Sequence, residues 1–249
     1  MIAEIDGCQL AYEVRGDGDP LLLLHGGMGA GADWKYVFPS DPDGFRVILP
    51  DLRGHGRSTN PSGEFTFRQA ALDLFALLDH LGIETVKAIG LSGGGITLLH
   101  MATLQPSRIA SMIVVSAPPY FPAPARAIQA KFSEEMLSDA ERRAMRQRHV
   151  HGEDQIRALV AQTRRFAVNH HDVNFTPAVL STITAETLIV FGDRDFLYPV
   201  SMAFDLYSAI PRAYLWVVPN GGHGPIFGAH APRFVETAMT FLRGKLASS

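Results

Sequence analysis

Val86-Lys-Ala-Ile-Gly-Leu-Ser-Gly-Gly-Gly-Ile-Thr-Leu-Leu99 is an apolar run broken by a glycine cluster that holds one serine, Ser92. Val86 to Ile89 reads as a short buried strand and Ile96 to Leu104 as a helix packed on it, so Gly90 to Gly95 must make the turn between them. So sharp a turn forces its central residue into a strained backbone conformation, and Gly90, Gly93 and Gly94 relieve the crowding around it. The hydroxyl of Ser92 then stands at the carboxyl end of a strand and the start of a helix, where exposed backbone N–H groups favour an attacking oxygen. The stretch fits a G-x-S-x-G nucleophile elbow. A glycine-rich packing turn, or a phosphate loop without its lysine, would look the same, so the rest of the chain has to supply the partners.

Outward from this turn, composition sets the limits. A chain of 249 residues suits one large α/β domain with a small insertion and a sizeable core. A net charge of −3 with 19% charged residues points away from nucleic acid and from a polycationic partner. The single cysteine, Cys8, forms no internal disulfide and reads as structural. No basic leader followed by an apolar segment opens the sequence, and no apolar run approaches about eighteen residues, so a cytoplasmic protein without membrane association is expected.

Upstream, Ile2–Ile5 and Gln9–Val14 flank Asp6-Gly7 and read as a hairpin. Leu21–Leu24 is unbroken apolar sequence, the mark of a strand covered on both faces in a parallel sheet. It runs into His25-Gly26-Gly27-Met28-Gly29, where glycine lets the main chain approach a substrate oxygen. One oxyanion donor is therefore assigned to Gly27 or Met28 and the second to Gly93, while His25 itself reads as structural. Trp34–Phe38 is expected to be a short helix near this loop, with Trp34 a candidate substrate contact. Phe45–Leu49 is another buried strand, and its exit, Pro50 to Ser58, carries Asp51 and His55. An Asp and a His four apart in one loop more readily satisfy the loop's own backbone, so both read as structural. Phe67–Leu81 has apolar residues at helical spacing and stops at Gly82.

Downstream, Ile109–Val115 is the next strand, and the alternation of strand and helix gives a doubly wound sheet. After Ser116 the rhythm changes: four prolines precede about fifty helix-like, charge-rich residues. Residues 117–181 are expected to form a helical lid over the sheet's carboxyl edge, with residues 1–116 and 182–249 as the core. Tyr120 and Phe121 are candidate pocket walls. Arg142, Arg143, Arg146 and Arg148 read as solvated helix faces, and a lid helix could serve as a homodimer surface. His149, His151, His170 and His171 lack carboxylate or cysteine companions at ligand spacing, so no metal is expected. Thr187–Phe191 and Tyr214–Val218 resume the sheet, and Ala231–Leu246 closes it with an amphipathic helix.

Three strand ends thus carry Ser92, an aspartate at 193 or 195, and His223, in the order Ser, Asp, His. A serine hydroxyl needs a base to take its proton, and a histidine with a pKa of about 6.5 suits that task. The histidine in turn needs a buried carboxylate to set its tautomer. With His-Gly-Gly-Met-Gly, Asp-Leu-Arg-Gly-His-Gly-Arg-Ser, Phe-Gly-Asp-Arg-Asp and Gly-Gly-His-Gly in this order, the chain resembles the α/β-hydrolase superfamily outside the lid. The resemblance implies a mostly parallel, doubly wound eight-stranded sheet, Ser92 as nucleophile, His223 as base and Asp195, at the end of G-x-x-D, as the orienting acid. It implies no cofactor. Serine at the elbow, where epoxide hydrolases and haloalkane dehalogenases carry aspartate, argues against both; Met28 and Leu52 depart from the proline iminopeptidase pattern. The expected activity is a carboxylesterase-like hydrolysis of small esters or lactones. Two alternatives stay open: a carbon–carbon hydrolase of the meta-cleavage type, although Gly224 stands where those enzymes usually carry tryptophan, and a small-molecule sensor without turnover.

Overall fold

A computed structural model describes residues 1–246. Eight strands form one sheet: β1 (Ile2–Ile5), β2 (Cys8–Arg15), β3 (Asp19–Leu24), β4 (Phe45–Pro50), β5 (Val86–Leu91), β6 (Ile109–Val115), β7 (Glu186–Gly192) and β8 (Ala213–Val218). Their order is β1-β2-β4-β3-β5-β6-β7-β8. β1 and β2 form an antiparallel hairpin, β2 pairs antiparallel with β4, and every later pair is parallel. Parallel neighbours require crossovers, which supply the helices that cover both faces.

The apolar runs divide by parity between those faces. Leu22, Leu24, Met112 and Val114 pack with α1 (Phe67–His80), α2 (Gly93–Leu104) and α7 (Val200–Ala209), through Leu74, Leu98, Met101 and Leu206. Leu21, Leu23, Ile113 and Val115 pack on the opposite face against Trp34, Phe38 and the Phe234–Phe241 stripe of α8 (Ala231–Leu242). Continuous hydrophobicity is the consequence of alternate residues serving two cores.

Two boundaries differ from the sequence reading. The short helix near the first glycine loop is a 3-10 turn over Gly31–Tyr36, because Asp33 Oδ2 accepts the Ala30 N–H at 3.0 Å and starts it early. α2 begins at Gly93 rather than Ile96, so the turn after β5 is Ser92 alone. Three glycines are poor helix formers, but Gly94 lies against β3, where a Cβ would sit 2.4 Å from the Leu24 carbonyl oxygen. Close packing overrides propensity here.

Between β6 and β7 lie α3 (Ala123–Lys131), α4 (Asp139–Arg148), α5 (Glu153–Phe166) and the short α6 (Pro177–Leu180). α4 starts on a capping box in which Ser138 and Glu141 satisfy each other's backbone N–H groups. No helix among the described residues is long and apolar enough to cross a membrane.

Candidate active site

β5 delivers Ser92 at φ +50°, ψ −114°, a region that non-glycine residues avoid at a cost of about 1–3 kcal/mol. The conformation is held from both sides: Ser92 N–H donates to the Val115 carbonyl at 2.8 Å, and the Ser92 carbonyl accepts Ile96 N–H at 2.9 Å. Of the three glycines expected to relieve crowding, Gly90 and Gly94 do so against backbone, at 2.5 and 2.4 Å for an added Cβ; Gly93 would meet only the Phe67 ring edge and the Gly27 nitrogen, at 3.2 and 3.3 Å.

The exits of β7 and β8 touch, since a Cβ on Gly192 would lie 2.1 Å from the Gly221 carbonyl oxygen. This contact brings the Asp195 loop to the His223 loop. Asp195 has a fully buried side chain. Its Oδ1 accepts the N–H groups of Leu197 and Tyr198 at 2.8 and 3.1 Å, and its Oδ2 lies 2.9 Å from His223 Nδ1. The carboxylate can only accept, so Nδ1 carries the proton and Nε2 is left as the acceptor. Ser92 Oγ lies 2.9 Å from that Nε2. Asp193, the other candidate, is partly exposed and its nearest cation is the adjacent Arg194 at 4.0 Å, which takes it out of the arrangement.

The Ser92 cavity has a volume of about 280 Å³. Its walls are largely apolar, with the aromatic rings of Phe65, Phe67, Phe121, Phe166 and Tyr198 among them. Burial and the Asp195 charge push the Tyr198 hydroxyl far above the ordinary tyrosine range, so it stays protonated. Gly27, Met28 and Gly93 line the same cavity. The Gly93 N–H is the first of α2, one of the donors a helix leaves unpaired at its start. Met28 takes φ +59°, which turns the glycine loop across the end of β3.

Two expected contacts are elsewhere. Tyr120 is exposed and forms a bridge with Asn174 at the root of the inserted helices, so it does not wall the cavity; Phe121, the next residue, points inward. Trp34 is buried and lines a neighbouring cavity of about 370 Å³ on the other side of the 26–28 loop, because its 3-10 turn packs under that loop rather than over Ser92.

The histidines and aspartate of the loops have specific partners. His25 Nε2 accepts the Leu52 N–H at 3.0 Å, so its Nδ1 donates to the Gly26 carbonyl at 2.8 Å. Asp51 accepts from Gly31 N–H and Arg57 N–H at 2.8 and 3.0 Å, and from the Arg57 guanidinium at 2.9 Å. Both are structural, as the sequence implies. His55 Nδ1 bonds the Arg53 carbonyl at 3.0 Å, yet the ring also lines the Ser92 cavity, which its position in the sequence does not reveal.

Arg148 corrects the sequence reading, and His149 has partners that the sequence reading did not assign. Arg148 is no solvated face: its Nε lies 2.8 Å from Asp33 Oδ2, and its Nη1 donates to the Met28 carbonyl at 3.3 Å. His149 is buried. Its Nδ1 accepts the Gly56 N–H at 3.0 Å, so its Nε2 donates to the same Met28 carbonyl at 3.1 Å. Desolvation lowers its pKa to about 4 and keeps this neutral tautomer. The end of α4 therefore holds the glycine loop beside Ser92. Arg143 and Arg146 are exposed as expected.

A family model for the alpha/beta hydrolase fold matches residues 19–167, and the chain belongs to that family. A soluble epoxide hydrolase of Corynebacterium sp. (strain C12) is 40% identical over 100 residues, covering 40% of this chain and 35% of that protein. Pimeloyl-[acyl-carrier protein] methyl ester esterase of Vibrio parahaemolyticus is 28% identical over 89% of this chain and 93% of its own length. The solved structure of a meta-cleavage product hydrolase from Pseudomonas fluorescens IP01 superposes with a TM-score of 0.81 at 20% identity, over 98% of this chain and 97% of that one, a likeness of fold.

Proposed function

We propose that the chain is a serine hydrolase of small carboxylic esters or lactones. The observation that carries this reading is the unbroken relay of hydrogen bonds from Asp195 through His223 to Ser92, opening into an apolar cavity. Ser92 Oγ attacks the carbonyl carbon while His223 Nε2 takes its proton. The oxyanion gathers N–H bonds from Gly93 and from Gly27 or Met28, each worth about 2.7–4 kcal/mol in related sites. The C–O bond to the leaving group breaks as His223 returns the proton to it, and water repeats the sequence on the acyl-enzyme. Asp195 holds the imidazole orientation and offsets its charge. The inserted helices act as the lid, since Phe121 and Phe166 come from that segment.

The carbon–carbon hydrolase alternative is disfavoured by the cavity walls. Its vinylogous diketone acids carry a carboxylate, and no lysine or arginine is among the lining residues. The epoxide-hydrolase relative does not alter the reading, because serine rather than aspartate stands at the elbow.

Fluorophosphonate labelling with peptide mapping tests the proposal. Modification of Ser92, lost in His223→Ala, and turnover of p-nitrophenyl esters that falls on the order of a millionfold in Ser92→Ala are the expected results. An unlabelled, accessible Ser92, or a Ser92→Ala protein keeping a tenth of its rate, would refute it.

A further inference from the structure

The same cavity holds two side chains that the reaction does not use. Gln129 on α3 and Gln162 on α5 each line it while only 7% exposed. Gln129 Oε1 is fully enclosed and has no hydrogen-bond partner among the described residues. Of the other polar wall groups, Thr163 donates to the Leu159 carbonyl at 3.0 Å and His55 Nδ1 bonds the Arg53 carbonyl, while the protonated Tyr198 hydroxyl lies at the His223 end of the cavity. Buried polar atoms in folded proteins are almost always paired, and an unpaired one needs a reason. An apolar residue would pack between α3 and the aromatic walls without this penalty. The glutamines are therefore out of place in a cavity built only for alkyl or aryl groups.

The demand they make is chemical. An enclosed carbonyl oxygen calls for a donor, and a second amide on the wall of the same cavity offers donors and a further acceptor, so the complementary group both donates and accepts. It is also uncharged, because no Lys, Arg, Asp or Glu lines the cavity and an ion brought there would lose its hydration without a counter-charge.

We propose that Gln129 and Gln162 select ester or lactone substrates that carry a neutral secondary amide on the portion reaching the lid helices. This rests on the serine-hydrolase reading and adds to it the class of substrate. A plain alkyl chain leaves Gln129 Oε1 unpaired in the bound state, and a carboxylate chain sets a negative charge against it.

Three alkyl fluorophosphonates of equal chain length, ending in methyl, acetamido or carboxylate, test this by their second-order rates of Ser92 modification. The acetamido probe is expected to react about tenfold faster than the methyl probe, the order of one net hydrogen bond, with the carboxylate probe slowest. In Gln129→Met and in Gln162→Met, unbranched replacements of similar size, the acetamido-to-methyl ratio is expected to fall towards one; reaction with the methyl probe reports that each variant is folded. Equal rates in the unsubstituted protein, a fastest carboxylate probe, or a ratio unchanged in both variants overturns the substrate class and leaves the hydrolase reading intact. Failure of all three probes to modify Ser92 overturns the hydrolase reading and this proposal together.

Discussion

Ser92, Asp195 and His223 differ in how much of their setting the chain announces. Ser92 is announced by its glycines, and its positive φ follows from the single-residue turn they permit. The choice between Asp193 and Asp195 comes from resemblance and is decided sterically: three residues past the end of β7, Asp195 points back toward His223. Asp195→Asn is expected to keep the fold while lowering kcat about ten-thousandfold, because an amide can hold the wrong imidazole tautomer; Asp193→Asn is expected to change it little. Steady-state kinetics on one ester with both variants checks the assignment. Gly94→Ala places a Cβ 2.4 Å from the Leu24 carbonyl, so loss of folded protein or of fluorophosphonate labelling is expected, read by circular dichroism beside the labelling assay. Gln129 escapes a sequence reading because an amide inside one of the inserted helices gives no periodic signal; only its enclosure without a partner marks it.

Among the elements, the inserted helices do more than cover the cavity. Asp172, between α5 and α6, accepts the first N–H groups of α1, from Phe67 at 2.7 Å and Arg68 at 3.2 Å, and so caps that helix from the inserted segment. Asp172→Ala is expected to cost about 1 kcal/mol in urea denaturation, the usual value of a lost cap. The end of α4 acts on the glycine loop. His149→Phe leaves the Met28 carbonyl with the weaker Arg148 contact and the Gly56 N–H with none, so reduced kcat with a smaller change in KM is expected from a loosened loop. Equal kcat in this variant would mean that the loop holds its shape unaided. The buried Arg53–Asp73 pair, bidentate at 2.6 and 2.7 Å, joins the loop after β4 to α1. Removing one member strands the other's charge, and Asp73→Ala is expected to lose about 3–5 kcal/mol of stability by thermal or urea unfolding.

For the whole molecule, four histidines titrate in one direction. Burial lowers the pKa of His25, His55, His100 and His149, the last to about 4. Each stays neutral in the folded protein after it would protonate in the unfolded chain, at about 6.5. As pH falls from about 6.5 towards 4 the unfolded state binds more protons, so stability is full above this window and declines within it. Urea midpoints measured from pH 7 to pH 4 should drop steadily; a flat profile would show that the four rings do not stay neutral together. The eight strands and the strand-end positions of Ser92, an aspartate at 193 or 195, and His223 were legible because unbroken apolar runs and glycine-rich exits are local features with strong steric causes; the order of the strands in the sheet was not. The partners of His149, 93 residues from Gly56 and 121 from Met28, were not legible, nor was the displacement of Trp34 from the Ser92 cavity. Hydrophobic patterning says which face of a segment is buried; what it is buried against depends on packing between segments far apart in the chain, and only the folded molecule brings those together.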